Sequence, residues 1–314
     1  MELEFIQWLR EHVPAEPRAK LGLSDDAALI SLAGRDQVVV TTDLLTDAVD
    51  FQLGMHEPQR IGRQALAANL SDLAAMAAKP VAAFISLALP HRGGAGLTAL
   101  QLAINLYEGL LPLAQEFDLA IAGGDTNTYD GPLALSVTAL GTTTARGPLT
   151  RSGGKPGDWL LVTGSLGGSI LGHMLDFTPR VKEAILLNKE YDLHAGIDIS
   201  DGLALDASRL AKASGCGANL FIDRIPVSRD ATRLAEQEKA TDIAAAGLHH
   251  ALSDGQDFEL LLAVAPDIAQ RILRDHAIEC PITHVGELIA DSGLWQQSSD
   301  KPRTRLEATG WRHT

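Results

Sequence analysis

The sequence predicts a two-domain protein of mixed helices and strands, whose N-terminal domain is of the ferredoxin-like α+β kind. The chain has 314 residues, and 46% of them are hydrophobic, which is enough for two cores. Strand-like and helix-like patterns occur on both sides of residues 142–158 (TTTARGPLTRSGGKPGD), a stretch with turn residues and no periodicity. We therefore place a boundary in this stretch and predict domains 1–147 and 148–314.

In the first half, strand patterns surround two long helical patterns. The β-branched run 37–42 (QVVVTT) predicts a strand that ends at Asp43. Residues 58–78 have helical periodicity with Pro80 as the stop, and residues 97–117 predict a second long helix. Further strands are predicted at 81–89, 118–122 and 132–141. Strands paired around two helices favour a ferredoxin-like layer.

In the second half the pattern restarts at Trp159. The predicted strand 159–163 is followed by a Gly-rich turn and then by mainly helical sequence to about residue 190. The later segments alternate as strand 195–199, helix 202–214, strand 218–223, helical sequence through 246, strand 258–264, helix 266–276 and strand 282–288. The second domain is therefore expected to combine a sheet with several helices.

Composition excludes several classes of protein. The formal net charge is −14 and no Lys/Arg-rich run occurs, so a nucleic-acid-binding surface is not expected. The N-terminal MELEFIQWLREH is acidic and amphipathic rather than a signal peptide, and no apolar run reaches the length of about 20 residues that a membrane helix needs. Cys216 and Cys280 are too few for a disulfide framework. We expect a cytoplasmic protein without a membrane partner.

Aspartates recur in short Gly/Ser/Thr segments at the ends of apolar runs. The segments are Ser24–Asp26, Thr41–Asp43, Asn69–Asp72, Gly123–Thr126, Asp198–Gly202 and Asp254–Asp257. If these carboxylates converge they must repel one another, so they need cations. Mg²⁺ takes oxygen ligands and is usually held by a few carboxylates together with substrate phosphates. The pattern predicts a metal–phosphate site assembled from distant parts of the chain.

Each motif also has an ordinary structural interpretation. Asn69 and Asp72 share a helix face, which could be a ligand face or a solvated polar edge. Gly123-Gly124-Asp125 could approach an anion and hold a metal, or could form a plain turn. Ser200 or Asp201 could be a helix N-cap. Neither GxxxxGK[ST] nor GxGxxG occurs, and the pair at 249–250 (HH) is expected to be structural or at the surface because it lacks zinc-ligand spacing.

Taken in order, these segments resemble the thiamine-monophosphate kinase family, which shares a superfamily with aminoimidazole ribonucleotide synthetase and selenophosphate synthetase. The matching segments are 24–28, 41–45, 69–76 (NLSDLAAM), 123–126, 149–158 (LTRSGGKPGD), 197–203 (IDISDGL) and 252–260. The resemblance implies an N-terminal α+β domain that pairs into a homodimer, a C-terminal α/β domain, and ATP and Mg²⁺ bound in the cleft between them. The reaction implied is direct transfer of the γ-phosphoryl group of ATP to thiamine monophosphate, giving thiamine diphosphate.

The resemblance also implies roles for individual residues, carried over by position. The residues that resemble the metal ligands are Asp26, Thr42, Asp43, Asp72, Asp125, Asp198 and Asp201. Those that resemble nucleotide and phosphate contacts are Thr41, Gly124, Arg151 and Ser200. Catalysis is assigned to Asp125, Asp201 and Arg151, and the substrate positions are Asp50, Gln256 and Trp311.

Two departures fall at the acceptor positions. The family usually has His where this chain has Asp50, and Gly-Gly-Glu-Asp where this chain has Asp254-Gly255-Gln256-Asp257. The alternatives to thiamine monophosphate phosphorylation are therefore an ATP-dependent enzyme with a different small-molecule acceptor, or a nucleotide-binding relative without turnover.

Overall fold

The structure, a computed structural model, describes residues 19–21, 25–31 and 37–311. The N-terminal segment interpreted above as amphipathic lies outside these residues. In the part of the chain that the structure describes, no helix has both the length and the apolar character needed to cross a membrane.

The first half forms a six-stranded sheet with two long helices. Its strands are β1 (Ala19–Leu21), β2 (Ala28–Ser31), β3 (Gln37–Thr46), β4 (Lys79–Pro90), β5 (Ala120–Tyr129) and β6 (Ala134–Thr142), in the order β1-β2-β3-β6-β4-β5. The helices are α1 (Pro58–Ala75) and α2 (Ala99–Glu116). Only β4 and β5 pair in parallel; the other neighbours are antiparallel. This confirms the α+β class predicted for the first domain.

Two predicted strands are longer than the sequence indicated. The strand predicted to end at Asp43 continues to Thr46, because each of its last residues pairs with β6 as far as Ala134. The strand predicted to stop at 122 continues through Gly123 and Gly124 to Tyr129, since its backbone pairs with β4. A side chain at Gly124 would place its Cβ 1.8 Å from the carbonyl oxygen of Ile85, so the close approach to β4 requires glycine there.

Helices α1 and α2 pack through two glycines. A Cβ at Gly62 would lie 2.0 Å from the carbonyl oxygen of Leu106, and one at Gly109 would lie 1.7 Å from that of Gln59. Pro58 occupies the first turn of α1, where its missing N–H costs nothing. This close packing fixes α1 against α2. The C-terminal half of α1 contains the NLSD motif.

The second half forms a seven-stranded sheet flanked by helices. Its strands are β7 (Trp159–Thr163), β8 (Leu193–Asp198), β9 (Gly217–Phe221), β10 (Leu260–Val264), β11 (Ile282–Ile289), β12 (Gly293–Gln297) and β13 (Thr304–Arg305), in the order β13-β12-β9-β11-β7-β10-β8. The α-helices are α3 (His173–Asp176), α4 (Val181–Glu190), α5 (Leu203–Ala213), α6 (Arg229–Gln237), α7 (Ile243–Ser253) and α8 (Pro266–Asp275). Neighbouring strands are antiparallel except β9 and β12.

The two halves share a hydrophobic core. One cluster joins Leu70 of α1 to Phe177, to Leu187 of α4 and to Leu262 of β10, while a second lies within the C-terminal half. The shared cluster holds α1 against the C-terminal half, which brings its polar end beside the end of β8. The predicted boundary at 147/148 falls in the segment between the two sheets and stays a prediction.

Candidate active site

Three carboxylates from distant segments meet where α1 reaches the C-terminal half. Asp72 lies on α1, Asp198 ends β8, and Asp26 precedes β2. One oxygen atom from each carboxylate lies within 4.8 Å of one from each of the other two. We call Asp26, Asp72 and Asp198 the acidic cluster. It brings together three of the seven aspartate and threonine positions predicted as metal ligands.

Hydroxyl groups and one guanidinium orient the cluster. The Thr41 hydroxyl donates a hydrogen bond to Asp72, and the Ser71 hydroxyl donates to Oδ2 of Asp198 over 2.6 Å. Arg151 forms an ion pair with Oδ1 of Asp26 through Nη2. Within residues 25–31 and 37–311, Oδ2 of Asp26 and Nε of Arg151 are buried and have no hydrogen-bond partner. Both atoms therefore have bonding capacity left for a ligand.

Burial and mutual repulsion raise the pKa of these acids. Burial, followed by the charges of Asp43, Asp198 and Asp26, raises the pKa of Asp72 well above its usual value. The pKa of Asp198 is raised by burial and by Asp26. Asp43 also has a pKa raised to about 6, first by burial and then by the charge of Asp50. Each of these carboxylates is therefore easier to protonate than a free aspartate, and a bound cation would relieve the same repulsion.

The oxygen donors fit a hard divalent ion. Among the residues that the structure describes, the cluster supplies three carboxylates, one of them with an unpaired buried oxygen, and no sulfur or nitrogen ligand. That donor set is the one preferred by Mg²⁺ or Ca²⁺ rather than by zinc. The residues thus fit the ion that the sequence predicts.

A cavity of about 180 Å³ lies over the cluster and opens beside a larger one of about 470 Å³. The smaller cavity is lined by Asp43, Asp72, Asp198, Ser200 and Asp201 among others. Asp50, Gln256 and Trp311 line both cavities. The three residues predicted for the substrate therefore stand between the acidic cluster and the larger space.

The larger cavity is apolar with a charged side. Its apolar lining includes Phe51, Met55, Ile170, Met174 and Leu234. Its charged lining includes Asp50, Glu238, His250 and Asp254. The sequence-based prediction gave His250 a structural or surface role; it is buried and lies at this cavity wall.

The turn that follows β8 is held by a buried aspartate. Asp206 of α5 accepts hydrogen bonds from the backbone N–H of Asp201 over 2.9 Å and of Gly202 over 3.1 Å. Arg209 pairs with Asp206 at 2.8 Å and also with Asp201. Asp201 therefore lines the smaller cavity while its carboxylate is bound by Arg209, outside the acidic cluster. The N-cap of α5 is Gly202, rather than Ser200 or Asp201, and no side chain caps the helix.

Thr42 and Asp125 lie on the outward face of the first sheet, opposite the face that α1 covers. Alternate side chains of a strand face opposite ways, so Thr41 faces α1 and Asp72, whereas Thr42 faces outward, with its Oγ1 2.9 Å from that of Thr138. Asp125 is exposed and stands opposite Ser86 of β4, which also faces outward. The geometry of this chain brings neither side chain to Asp72.

Gln64 is a site residue that the sequence analysis missed. It lies on α1 in line with Ala68 and Asp72, four and eight residues later, and all three line the smaller cavity. Its side chain is buried, and in the described part of the chain its Oε1 has no hydrogen-bond partner. Helical spacing from Asp72 is the signal that identifies it.

Comparisons with known proteins identify the family of this chain. The family model "AIR synthase related protein, N-terminal domain" matches residues 24–143, and "AIR synthase related protein, C-terminal domain" matches residues 155–294. A thiamine-monophosphate kinase from Rhodopirellula baltica is 41% identical over 320 residues, covering 100% of this chain and 97% of that protein. This chain belongs to the thiamine-monophosphate kinase family.

Solved structures of the family share the fold. The thiamine-monophosphate kinase from Stenotrophomonas maltophilia K279a is 29% identical with a TM-score of 0.72, over 95% of each chain. AaThiL complexed with AMPPCP and TMP has a TM-score of 0.79 at 23% identity, over 100% of this chain and 96% of that one. At that identity the second likeness concerns the fold alone.

Proposed function

We propose that this protein is an ATP- and Mg²⁺-dependent kinase that converts thiamine monophosphate to thiamine diphosphate by direct transfer of the γ-phosphoryl group. The observation that carries the proposal is the pair of adjoining cavities: an acidic one suited to metal-bound phosphates, and an apolar one with carboxylates at its wall. The relative from Rhodopirellula baltica bears the name of this activity, and AaThiL was solved with AMPPCP and TMP. Since the donor is ATP, we place the protein in the cytoplasm.

The acidic cluster would hold the metal ions. Asp26, Asp72 and Asp198 supply the carboxylates, with Asp43 lining the same cavity. Bound Mg²⁺ supplies positive charge that neutralises the phosphate chains as they approach one another. The chain's own hydroxyls at Thr41 and Ser71 fix the carboxylate orientation, so the cluster need not reorganise when phosphates arrive.

In the transfer itself, an oxygen of the acceptor's phosphate attacks the γ-phosphorus of ATP. The bond to the oxygen between the β- and γ-phosphorus breaks, giving ADP and thiamine diphosphate, with no covalent enzyme group required. The protein's contribution is position and charge. Arg151 is proposed to contact the ATP phosphates, since its guanidinium lies beside the cluster and its Nε is unpaired within the described ranges.

The larger cavity suits the cationic body of thiamine monophosphate. Trp311, 46% exposed, offers an aromatic face next to the boundary of the two cavities, and Asp50 offers a carboxylate there. The backbone N–H of Thr46 donates to Oδ2 of Asp50 over 2.7 Å, which fixes that carboxylate. An aromatic face and a nearby negative charge both favour the thiazolium ring. The Asp50 carboxylate thus supplies the negative charge that the family has in a Glu at the position of Gln256.

The open face of the first sheet supports the proposed homodimer. Leu44 is 65% exposed and Phe84 is 42% exposed, both on the sheet face opposite the helices. Covering these residues with a second copy would remove apolar surface from water. We expect a dimer by light scattering, shifted toward monomer in Phe84→Asp. A monomeric wild-type protein at micromolar concentration would contradict the dimer.

The deciding experiment is formation of thiamine diphosphate from purified protein, ATP, Mg²⁺ and thiamine monophosphate. Product formation that EDTA stops is the expected result. If ATP binds but no thiamine diphosphate appears at saturating substrate, the acceptor assignment is wrong while the nucleotide site remains. If ATP does not bind either, both parts of the proposal are wrong.

A further inference from the structure

Three residues of the larger cavity have no part in the transfer described above. His250, on α7, is buried, with Nδ1 3.0 Å from Oδ1 of Asp254 and Nε2 3.2 Å from Oε2 of Glu238. All three line the larger cavity, and none of them lines the smaller one. We call Glu238, His250 and Asp254 the charged triad.

The triad is arranged to hold Glu238 at the cavity. Burial lowers the pKa of His250, but the hydrogen bonds and charges of Asp254 and Glu238 outweigh it, and the pKa is raised overall. The other oxygen of Asp254 accepts a hydrogen bond from the backbone N–H of Gly168 over 3.0 Å, which anchors that end. The imidazole ring, which contacts a carboxylate through each of its nitrogens, thus fixes the position of Glu238 from one side.

One carboxylate oxygen of Glu238, Oε1, is available to a ligand. It follows α6, where the negative end of the helix dipole disfavours a carboxylate, so His250 compensates for an otherwise unfavourable placement. The Glu238 side chain is 53% exposed, and among the described residues its Oε1 has no hydrogen bond. A partly exposed carboxylate oxygen at a cavity wall can accept a hydrogen bond from an N–H donor of a ligand.

We propose that Glu238 binds the exocyclic amino group of the acceptor's aminopyrimidine ring and so determines acceptor specificity. This inference rests on the proposed function. When the phosphate of thiamine monophosphate lies at the acidic cluster and the thiazolium beside Asp50 and Trp311, the remaining ring must extend into the larger cavity. There Leu234 and Met174 supply apolar contact, and Glu238 supplies the acceptor for the amino group. His250 acts as a positioning residue for Glu238.

The test compares two acceptors and four proteins, the wild type and three variants. Oxythiamine monophosphate has an oxygen in place of the amino group, so it presents no amine donor to a carboxylate. We expect wild-type protein to prefer thiamine monophosphate by about 10- to 100-fold in kcat/KM, the range that one hydrogen bond to a charged group provides. In Glu238→Gln the preference should fall toward one, because an amide can donate to the oxygen. The change should appear in KM for the acceptor, with KM for ATP unchanged.

Glu236→Gln is the matched control, because Glu236 is an exposed acid of the last turn of α6, two residues before Glu238, and lies outside both cavities. It should behave as wild type. His250→Gln should raise KM for thiamine monophosphate without lowering kcat by the same factor, which a general loss of folding would not do. Wild-type turnover with an unchanged acceptor preference in Glu238→Gln would overturn the inference and leave the proposed function standing. Failure of the wild type to make thiamine diphosphate would overturn both.

Discussion

Replacing Asp72 with Asn tests whether the carboxylates of the acidic cluster repel one another and whether a bound metal ion relieves that repulsion. The change removes one charge and keeps the size, and an Asn oxygen can still accept the hydrogen bond from Thr41. Most substitutions of buried polar residues destabilise a protein. Here we expect the opposite in the absence of divalent cations.

The magnitude follows from the geometry. Two unit charges within 4.8 Å interact by about 3.5 kcal/mol or more at an effective dielectric constant of 20, and Asp72 has two such neighbours, Asp26 and Asp198. Proton uptake relieves part of this repulsion, because burial and the neighbouring charges raise the pKa of Asp72 well above its usual value. We therefore expect Asp72→Asn to raise the free energy of unfolding by about 1 to 3 kcal/mol in EDTA at pH 7.5.

In Mg²⁺ the wild type should be more stable than Asp72→Asn, which is the reverse of the order expected in EDTA. An ion that binds the folded state stabilises it in proportion to the logarithm of its concentration over Kd. The wild type should gain from Mg²⁺, and Asp72→Asn should gain little while losing at least tenfold in turnover, or about 1.4 kcal/mol of transition-state stabilisation.

Urea unfolding in EDTA and in Mg²⁺ measures the two free energies of unfolding, and thiamine diphosphate formation measures the loss of turnover. Asp118→Asn is the control, since Asp118 is exposed and its left-handed backbone, with φ of 53°, accepts Asn as readily as Asp. An Asp72→Asn protein that is destabilised in EDTA and yet gains as much from Mg²⁺ as the wild type would refute the cluster as the metal site.

Two further predictions concern the same site. Arg151→Lys should weaken ATP binding or turnover several-fold because a lysine cannot bind two phosphate oxygens at once; an unchanged ATP titration would leave Arg151 only its ion pair with Asp26. The pKa of Asp43 is raised from 3.8 to about 6, so the folded state holds more protons than the unfolded state between these values. The free energy of unfolding in EDTA should therefore fall as pH rises from about 4 to 6, and the thermal stabilisation by Mg²⁺ should be larger at pH 7.5 than at pH 5. Equal stabilisation at both pH values would contradict this linkage.

Periodicity located most of the longer elements, since it reports which face of an element is buried, but the strands β1, β2, β12 and β13 were not predicted. The helix predicted at 97–117 spans Ala99–Glu116, and the strand predicted at 159–163 is Trp159–Thr163. Strand ends were less predictable. The strands that include Asp43 and Gly124 continue past the residues where turn chemistry predicted a stop, because backbone pairing with a neighbouring strand outweighs local preference.

The sequence by itself determined the order of the longer elements, the α+β class of the first domain and the chemistry of a carboxylate-rich site, because hydrophobic periodicity and aspartates at the ends of apolar runs are local features of the chain. Tertiary structure alone decided which of them meet. Strand alternation turns Thr41 toward Asp72 and Thr42 away from it, a difference of one residue that no motif encodes. The triad likewise depends on α6 and α7 packing together, so Glu238 and His250 meet through a contact that neither residue's neighbours in the sequence specify.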